Sequence, residues 1–213
     1  MRRRPSNVST DRTNPTEALV RQALRRHVTN AGAPTQTVDE FWVPQSNERA
    51  DMAHIGRVLA GFEIKTQRDS LRRLPRQAAA YERVFDRCTA VVAPKHRDAA
   101  IETLPSWWGI TEIAANGSIS FHQVRDCRPN RSVDPETLVR LLWRDEAERA
   151  LVALGVDPAP RTPRAALWRE LVRVADLRQL RAAVRVSLLA RTRGDARAGR
   201  RFTRSAEVAE ADR

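Results

Sequence analysis

The stretch Arg49-Ala50-Asp51-Met52-Ala53-His54-Ile55-Gly56-Arg57-Val58-Leu59-Ala60-Gly61-Phe62-Glu63-Ile64-Lys65 decides how the rest of the chain is read. Two strand-like segments, 49–55 and 58–65, flank Gly56-Arg57 and read as a hairpin. Glu63 and Lys65 are two apart on a strand, so they share a face. A hairpin folded about Arg57 sets Asp51 opposite Glu63, because each lies six residues from the centre. Facing residues of an antiparallel pair project to the same side, with Cβ atoms roughly 4.5–5.5 Å apart. One face then carries Asp51, Glu63 and Lys65 beside small Ala53 and Gly61. The other carries Met52, His54, Val58, Ala60, Phe62 and Ile64, is nearly all apolar, and is expected to belong to the core.

Two close carboxylates repel unless a cation sits between them. All-oxygen ligands of this kind suit Mg²⁺ or Mn²⁺, with Asp51 and Glu63 as metal ligands and the Ile64 backbone carbonyl as a further one. Lys65 falls where it can orient or deprotonate a water, or stabilise charge developing on a phosphate. Such a site needs no Ser, Cys or His nucleophile. The plain alternative is a surface strand pair with a Lys–Glu contact, which Glu-x-Lys alone cannot distinguish. The register, which adds Asp51, is what favours a site.

Outward from the hairpin, Asn14-Pro15-Thr16-Glu17 reads as a helix start, with Asn14 as cap and Glu17 at the capping-box position. Leu19, Val20, Ala23, Leu24 and Val28 give that helix its apolar face. A strand is expected over 37–43, a helix over 76–86, a buried strand over 88–93 and a helix over 98–104. Strands over 107–114 and 118–124 flank the turn signal Asn116-Gly117. This order predicts an α/β core, residues 14–128, with a mixed central sheet flanked by helices. From Val133 the pattern turns helical. Asp134-Pro135 opens a helix carrying Leu138, Leu141, Leu142 and Trp143, 155–163 is a linker, and helices follow over 164–174 and 177–189. Residues 133–192 therefore read as a small helical C-terminal appendage. Residues 1–13 read as a disordered basic arm and 193–213 as a disordered tail.

The 213 residues carry a formal charge of +12 and a pI near 11.3. Only Lys65 and Lys95 are lysines, so 36 of the 38 basic residues are arginine. The charge points to a polyanionic partner, with DNA ahead of RNA, although a GC-rich genome would produce the arginine bias by itself. No apolar run reaches the roughly 18 residues of a membrane span. Cys88 and Cys127 lack disulfide-framework or metal-site spacing and read as buried thiols of a reducing cytoplasm.

The block Arg49-Ala50-Asp51, then Gly61-Phe62-Glu63-Ile64-Lys65, with Gln77 and Tyr81 four apart downstream, resembles the PD-(D/E)XK, or restriction-endonuclease-like, nuclease superfamily. Asp69-Ser70-Leu71-Arg72-Arg73-Leu74-Pro75-Arg76-Gln77, Trp107-Trp108-Gly109-Ile110 and the segment from Leu141 to Glu146 extend the likeness to one uncharacterised bacterial family within it, over roughly residues 16–190. Alanine precedes Asp51 where many members have proline. The resemblance implies a restriction-endonuclease-like fold and Mg²⁺-dependent hydrolysis of phosphodiesters in DNA. It implies Asp51, Glu63 and Lys65 as catalytic residues, with Glu17 assisting the metal through water. Gln77 and Tyr81 would line the cleft and touch the nucleic-acid backbone. Arg72, Arg73 and Arg76 are placed for phosphate contacts. Two other classes fit the same residues: a nucleic-acid-binding protein that does not cut, and an interaction subunit of a larger DNA-processing or defence assembly.

Overall fold

The computed structural model describes residues 14–29, 35–115 and 118–194. The expected basic arm over 1–13, all but the first two residues of the expected tail, and the Asn116-Gly117 turn lie outside them. Six strands form one sheet in chain order: β1 (Gln36–Trp42), β2 (Arg49–Ile55), β3 (Leu59–Lys65), β4 (Arg87–Val92), β5 (Gly109–Ala115) and β6 (Ile119–Arg125). β1–β2, β2–β3 and β5–β6 pair antiparallel, whereas β3–β4 and β4–β5 pair parallel. The two parallel steps need crossovers. Helix α2 (Leu74–Glu82) supplies the first and α3 (Arg97–Thr103) the second. The protein is thus an α/β protein with a mixed sheet flanked by helices.

The hairpin register is the expected one. Met52 faces Phe62, Ala53 faces Gly61, His54 faces Ala60 and Ile55 faces Leu59, which centres the turn on Arg57. The Gly56 amide donates to the Val58 carbonyl at 3.1 Å to close it. Both faces of the hairpin meet a core, the one bearing Met52 and Ile64 less completely because His54, Val58, Ala60 and Phe62 are half-buried, and this corrects the expected division into a core face and a site face. Met52 and Ile64 pack with Val91 and Ile113 under helix α1 (Glu17–Val28), through Val20 and Leu24. The opposite face, the one bearing Asp51, Glu63 and Lys65, meets the larger core. There Ala53, Ile55 and Leu59 pack with Leu74, Ala78, Tyr81 and Phe85. A β-carbon on Gly61 would lie 2.8 Å from the Phe85 ring, so only glycine admits that ring.

Helix α1 starts at Glu17 with Thr16 at its N-cap position and no side-chain capping bond, rather than with Asn14 as cap and Glu17 in a capping box. Glu17 is thereby free to pair with Arg21, one turn on.

The helix expected from Pro135 through Trp143 is broken. A short α4 (Pro135–Leu138) runs into a 3₁₀ turn over Val139–Leu141, Leu142 is extended, and α5 (Arg144–Ala153) begins anew. The break is stabilised by Glu146, whose carboxylate accepts the Trp143 amide at 2.7 Å, the return arm of a capping box. Helices α6 (Arg164–Val174) and α7 (Leu177–Gly194) follow. Their apolar residues, Leu167, Leu171, Leu180, Val184 and Leu188, belong to the same buried cluster as the sheet residues. Asp86 ties the two together: it accepts the Leu59 amide at 2.8 Å and faces Arg181 of α7 at 2.8 Å.

Candidate active site

Asp51, Glu63 and Lys65 do converge. The β2–β3 register extended one step beyond Met52–Phe62 sets Asp51 against Glu63. Here the ladder opens, and Asp51 replaces a backbone acceptor with its own carboxylate, taking the Ile64 amide at 2.6 Å. Ile64 thus enters the site through its N–H. Lys65 donates to Glu63 Oε1 at 2.5 Å, and both side chains are almost wholly buried. The Tyr81 hydroxyl donates its one proton to Glu63 Oε2 at 2.5 Å, and the Arg49 carbonyl lies 2.8 Å from the same hydroxyl. Both oxygens of Glu63 are therefore engaged.

A third strand adds a further carboxylate. In the β1–β2 pairing Asp39 faces Met52 and Phe41 faces Ala50, so Glu40 falls opposite Asp51. Glu40 has φ +50°, a left-handed conformation that a residue with a side chain rarely adopts. Strain of this kind gathers at functional positions. Oxygens of Glu17, Glu40 and Asp51 lie within 4.8 Å of one another. Arg21 bridges Glu17 and Glu40, reaching Glu40 at 2.8 Å. Asp39 turns instead to Arg25 at 2.6 Å. The set that could grip a hard divalent ion is thus Glu17, Glu40 and Asp51, with Glu63 held just behind by Lys65 and Tyr81. Its all-oxygen chemistry fits Mg²⁺ or Mn²⁺.

Burial is the first electrostatic influence on the carboxyls of the centre. Burial, then the neighbouring Glu63 charge, pushes Asp51 up to about 7, against the pull of the Ile64 amide. Burial also raises Glu63, although Lys65, Tyr81 and Gln77 pull the other way. Tyr81 is raised well above its ordinary value, first by burial and then by Glu63.

Helix α2 presents Gln77 and Tyr81 one turn apart, as expected, but both side chains are buried. Gln77 bonds to Glu63, and its Oε1 is buried without a partner. These residues brace the carboxylate from within. Trp108 stacks on Tyr81 at 5.7 Å between ring centroids and completes the wall. Arg72 is exposed. Arg73 and Arg76 are exposed too, but each pairs with the buried Glu48, at 2.9 and 2.5 Å. His54 sits on the α1 side of the sheet, and burial lowers its pKa, which suits a structural histidine.

These features define a class: an α/β protein whose acidic centre spans three adjacent strands and is backed by a buried lysine. The chain belongs to the bacteriophage P4 protein cII family, whose pattern matches residues 12–206. Protein cII of Enterobacteria phage P4 is 28% identical over 120 residues, which cover 56% of this chain and 46% of the phage protein. The chain thus spans about half the length of that curated relative. Among solved structures, a protein of unknown function from Silicibacter pomeroyi is similar at 19% identity and a TM-score of 0.35, over 81% of this chain and 87% of that one. No helix among the described residues is long and apolar enough to cross a membrane.

Proposed function

We propose that this protein is a metal-dependent nuclease that hydrolyses phosphodiester bonds in DNA, on a restriction-endonuclease-like core of the PD-(D/E)XK kind. The observation that carries the reading is the convergence of Asp51, Glu40 and Glu17 beside the buried Glu63–Lys65 pair. Three carboxylates from three elements, one with its pKa near 7, make a donor set that suits a divalent cation, which would take over from Arg21 as counter-charge to Glu17 and Glu40. Glu17, Glu40 and Asp51 would hold Mg²⁺ or Mn²⁺, with Glu63 and the Ile64 carbonyl as further candidates. The bound ion would polarise a phosphate oxygen and lower the pKa of water. Lys65, held at Glu63, places a positive charge where negative charge develops on the phosphate. Gln77 and Tyr81 fix Glu63, and the partnerless Gln77 Oε1 can accept from a water. The net charge of +12 favours a polyanionic substrate, and the free thiols Cys88, buried, and Cys127, only half-buried against expectation, fit a reducing cytoplasm.

A non-cleaving nucleic-acid-binding protein is the second reading. It is favoured by the complete engagement of Glu63, whose two oxygens are satisfied without an ion. A cleavage assay on single- and double-stranded DNA and RNA, with Mg²⁺, Mn²⁺ or EDTA, separates the two. The nuclease reading expects metal-dependent cleavage that falls at least roughly a hundredfold in Asp51→Ala and Lys65→Ala. Binding without cleavage on every substrate favours the second reading.

A further inference from the structure

The C-terminal helices carry an arrangement that the acidic centre does not use. Arg140, at the 3₁₀ turn after α4, and Arg164, which opens α6, both place their guanidinium over the ring of Trp168, at 5.3 and 4.8 Å from its centroid. The two cations are therefore no more than about 10 Å apart. Trp168 is itself fixed, because its indole N–H donates to the Leu142 carbonyl at 3.1 Å. Neither arginine has a carboxylate partner among the described residues. Their neighbours do: Arg144 pairs with Glu148, Arg149 with Asp145 and Arg173 with Glu170. The first turn of α6 contains no acidic residue.

A guanidinium stacked on an aromatic face keeps its N–H edge free, and its planar fork matches the oxygens of a phosphate. Holding two such groups on one rigid ring removes much of the ordering entropy that flexible arginines lose on binding. An ion pair with an acid would cancel the charge, and here the acids are given to other arginines. The ligand that fits is a polyanion with repeated phosphates at short spacing.

We infer that Arg140, Arg164 and Trp168 form a phosphate-backbone anchor, through which the helical C-terminal region grips a nucleic-acid strand with residues that take no part in the acidic centre. The anchor needs no metal and no cleavage, so it stands or falls separately from the nuclease reading.

The test is binding of a fluorescent DNA oligonucleotide to the full chain in EDTA, measured by anisotropy across a salt series. Arg140→Gln/Arg164→Gln should weaken binding on the order of tenfold near 0.15 M salt and flatten the salt dependence by about two phosphate contacts. Arg149→Gln/Arg173→Gln removes the same charge from acid-paired arginines and should change neither by more than about twofold. Trp168→Leu, which keeps both arginines but removes the platform, should give an intermediate loss, with thermal melts confirming that the variants are folded. An unchanged salt slope in the first variant overturns the anchor, as does an equal loss in the charge-matched control. Stabilisation by inorganic phosphate with no oligonucleotide affinity would reassign the site to a small anion and overturn it as well.

Discussion

At the residue scale, the decisive group is Asp51. Its pKa of about 7 lies above the ordinary 3.8 because burial and the Glu63 charge disfavour the carboxylate. Between about pH 4 and pH 7 the folded chain holds a proton that the unfolded chain has lost. The contribution of Asp51 to stability without metal therefore falls as pH rises through that window, and is greatest below it. At about 1.4 kcal/mol per unit, the whole shift amounts to no more than about 4 kcal/mol, and Glu63 titrates with it. Asp51→Asn removes the ionisation. It should raise the stability of metal-free protein at pH 8 by about 1–3 kcal/mol and flatten the fall between pH 4 and 7, as urea titrations in EDTA at several pH values would read. A variant less stable than wild type at pH 8 would mean that the Ile64 amide bond outweighs the burial of charge. Glu40 makes a companion case. Its φ of +50° is strain that a glycine relieves. Glu40→Gly should leave stability unchanged or higher by up to about 1 kcal/mol, yet weaken Mn²⁺ binding measured by calorimetry. Equal Mn²⁺ affinity in both proteins would remove Glu40 from the ligand set.

At the scale of strands and helices, packing around Gly61 controls how Glu63 is presented. A methyl group there would sit 2.8 Å from Phe85, which is held by Tyr81 on one side and Phe41 on the other. Gly61→Ala should cost about 1–3 kcal/mol, and Phe85→Leu in the same chain should recover part of it. Additivity of the two losses in denaturant melts would show that ring and glycine do not meet. The same elements show what a one-dimensional reading can reach. The Asp51–Glu63–Lys65 grouping was legible because a short hairpin has one centre and a strict two-residue period. Glu40 was not, because its register depends on the turn over 43–48, where Gln45 adopts a left-handed φ and Ser46 bonds back to Val43. No spacing rule fixes such a turn. Gln77 and Tyr81 were correctly joined by helical period, but the period does not say whether that face looks outward to a ligand or inward to Glu63. Glu146 illustrates a third limit. A hydrophobic pattern that runs on through Leu141, Leu142 and Trp143 conceals a helix break, because the glutamate cap that stabilises it lies three residues beyond.

At the scale of the whole molecule, the question is whether the C-terminal helices are a passenger or part of one folding unit. Leu167, Leu171, Leu180, Val184 and Leu188 share a continuous buried cluster with Ala53, Leu59, Ala90 and Ile110 of the sheet. Two polar connections reinforce it. Arg181 meets Asp86, which also caps the Leu59 amide. Arg191 lies over the Trp143 ring at 4.1 Å, pairs with buried Glu146 and donates to the Leu141 carbonyl at 2.6 Å. Glu146→Gln leaves the buried guanidinium without its counter-charge, a loss of about 2–4 kcal/mol after allowing for the carbonyl it keeps. If the cores are one, that loss is felt everywhere. Native-state hydrogen exchange should then show the most protected amides of β4, far from Glu146 in sequence, losing the same free energy as those of α7. Calorimetry of wild type should give a single transition, with van't Hoff and calorimetric enthalpies in agreement. Exchange that speeds up in α5–α7 while β4 keeps its protection would describe two units, with the sheet and its acidic centre stable alone. In the coupled case, anything that binds and stabilises the C-terminal helices also stabilises the scaffold that holds Asp51 and Glu63 in register.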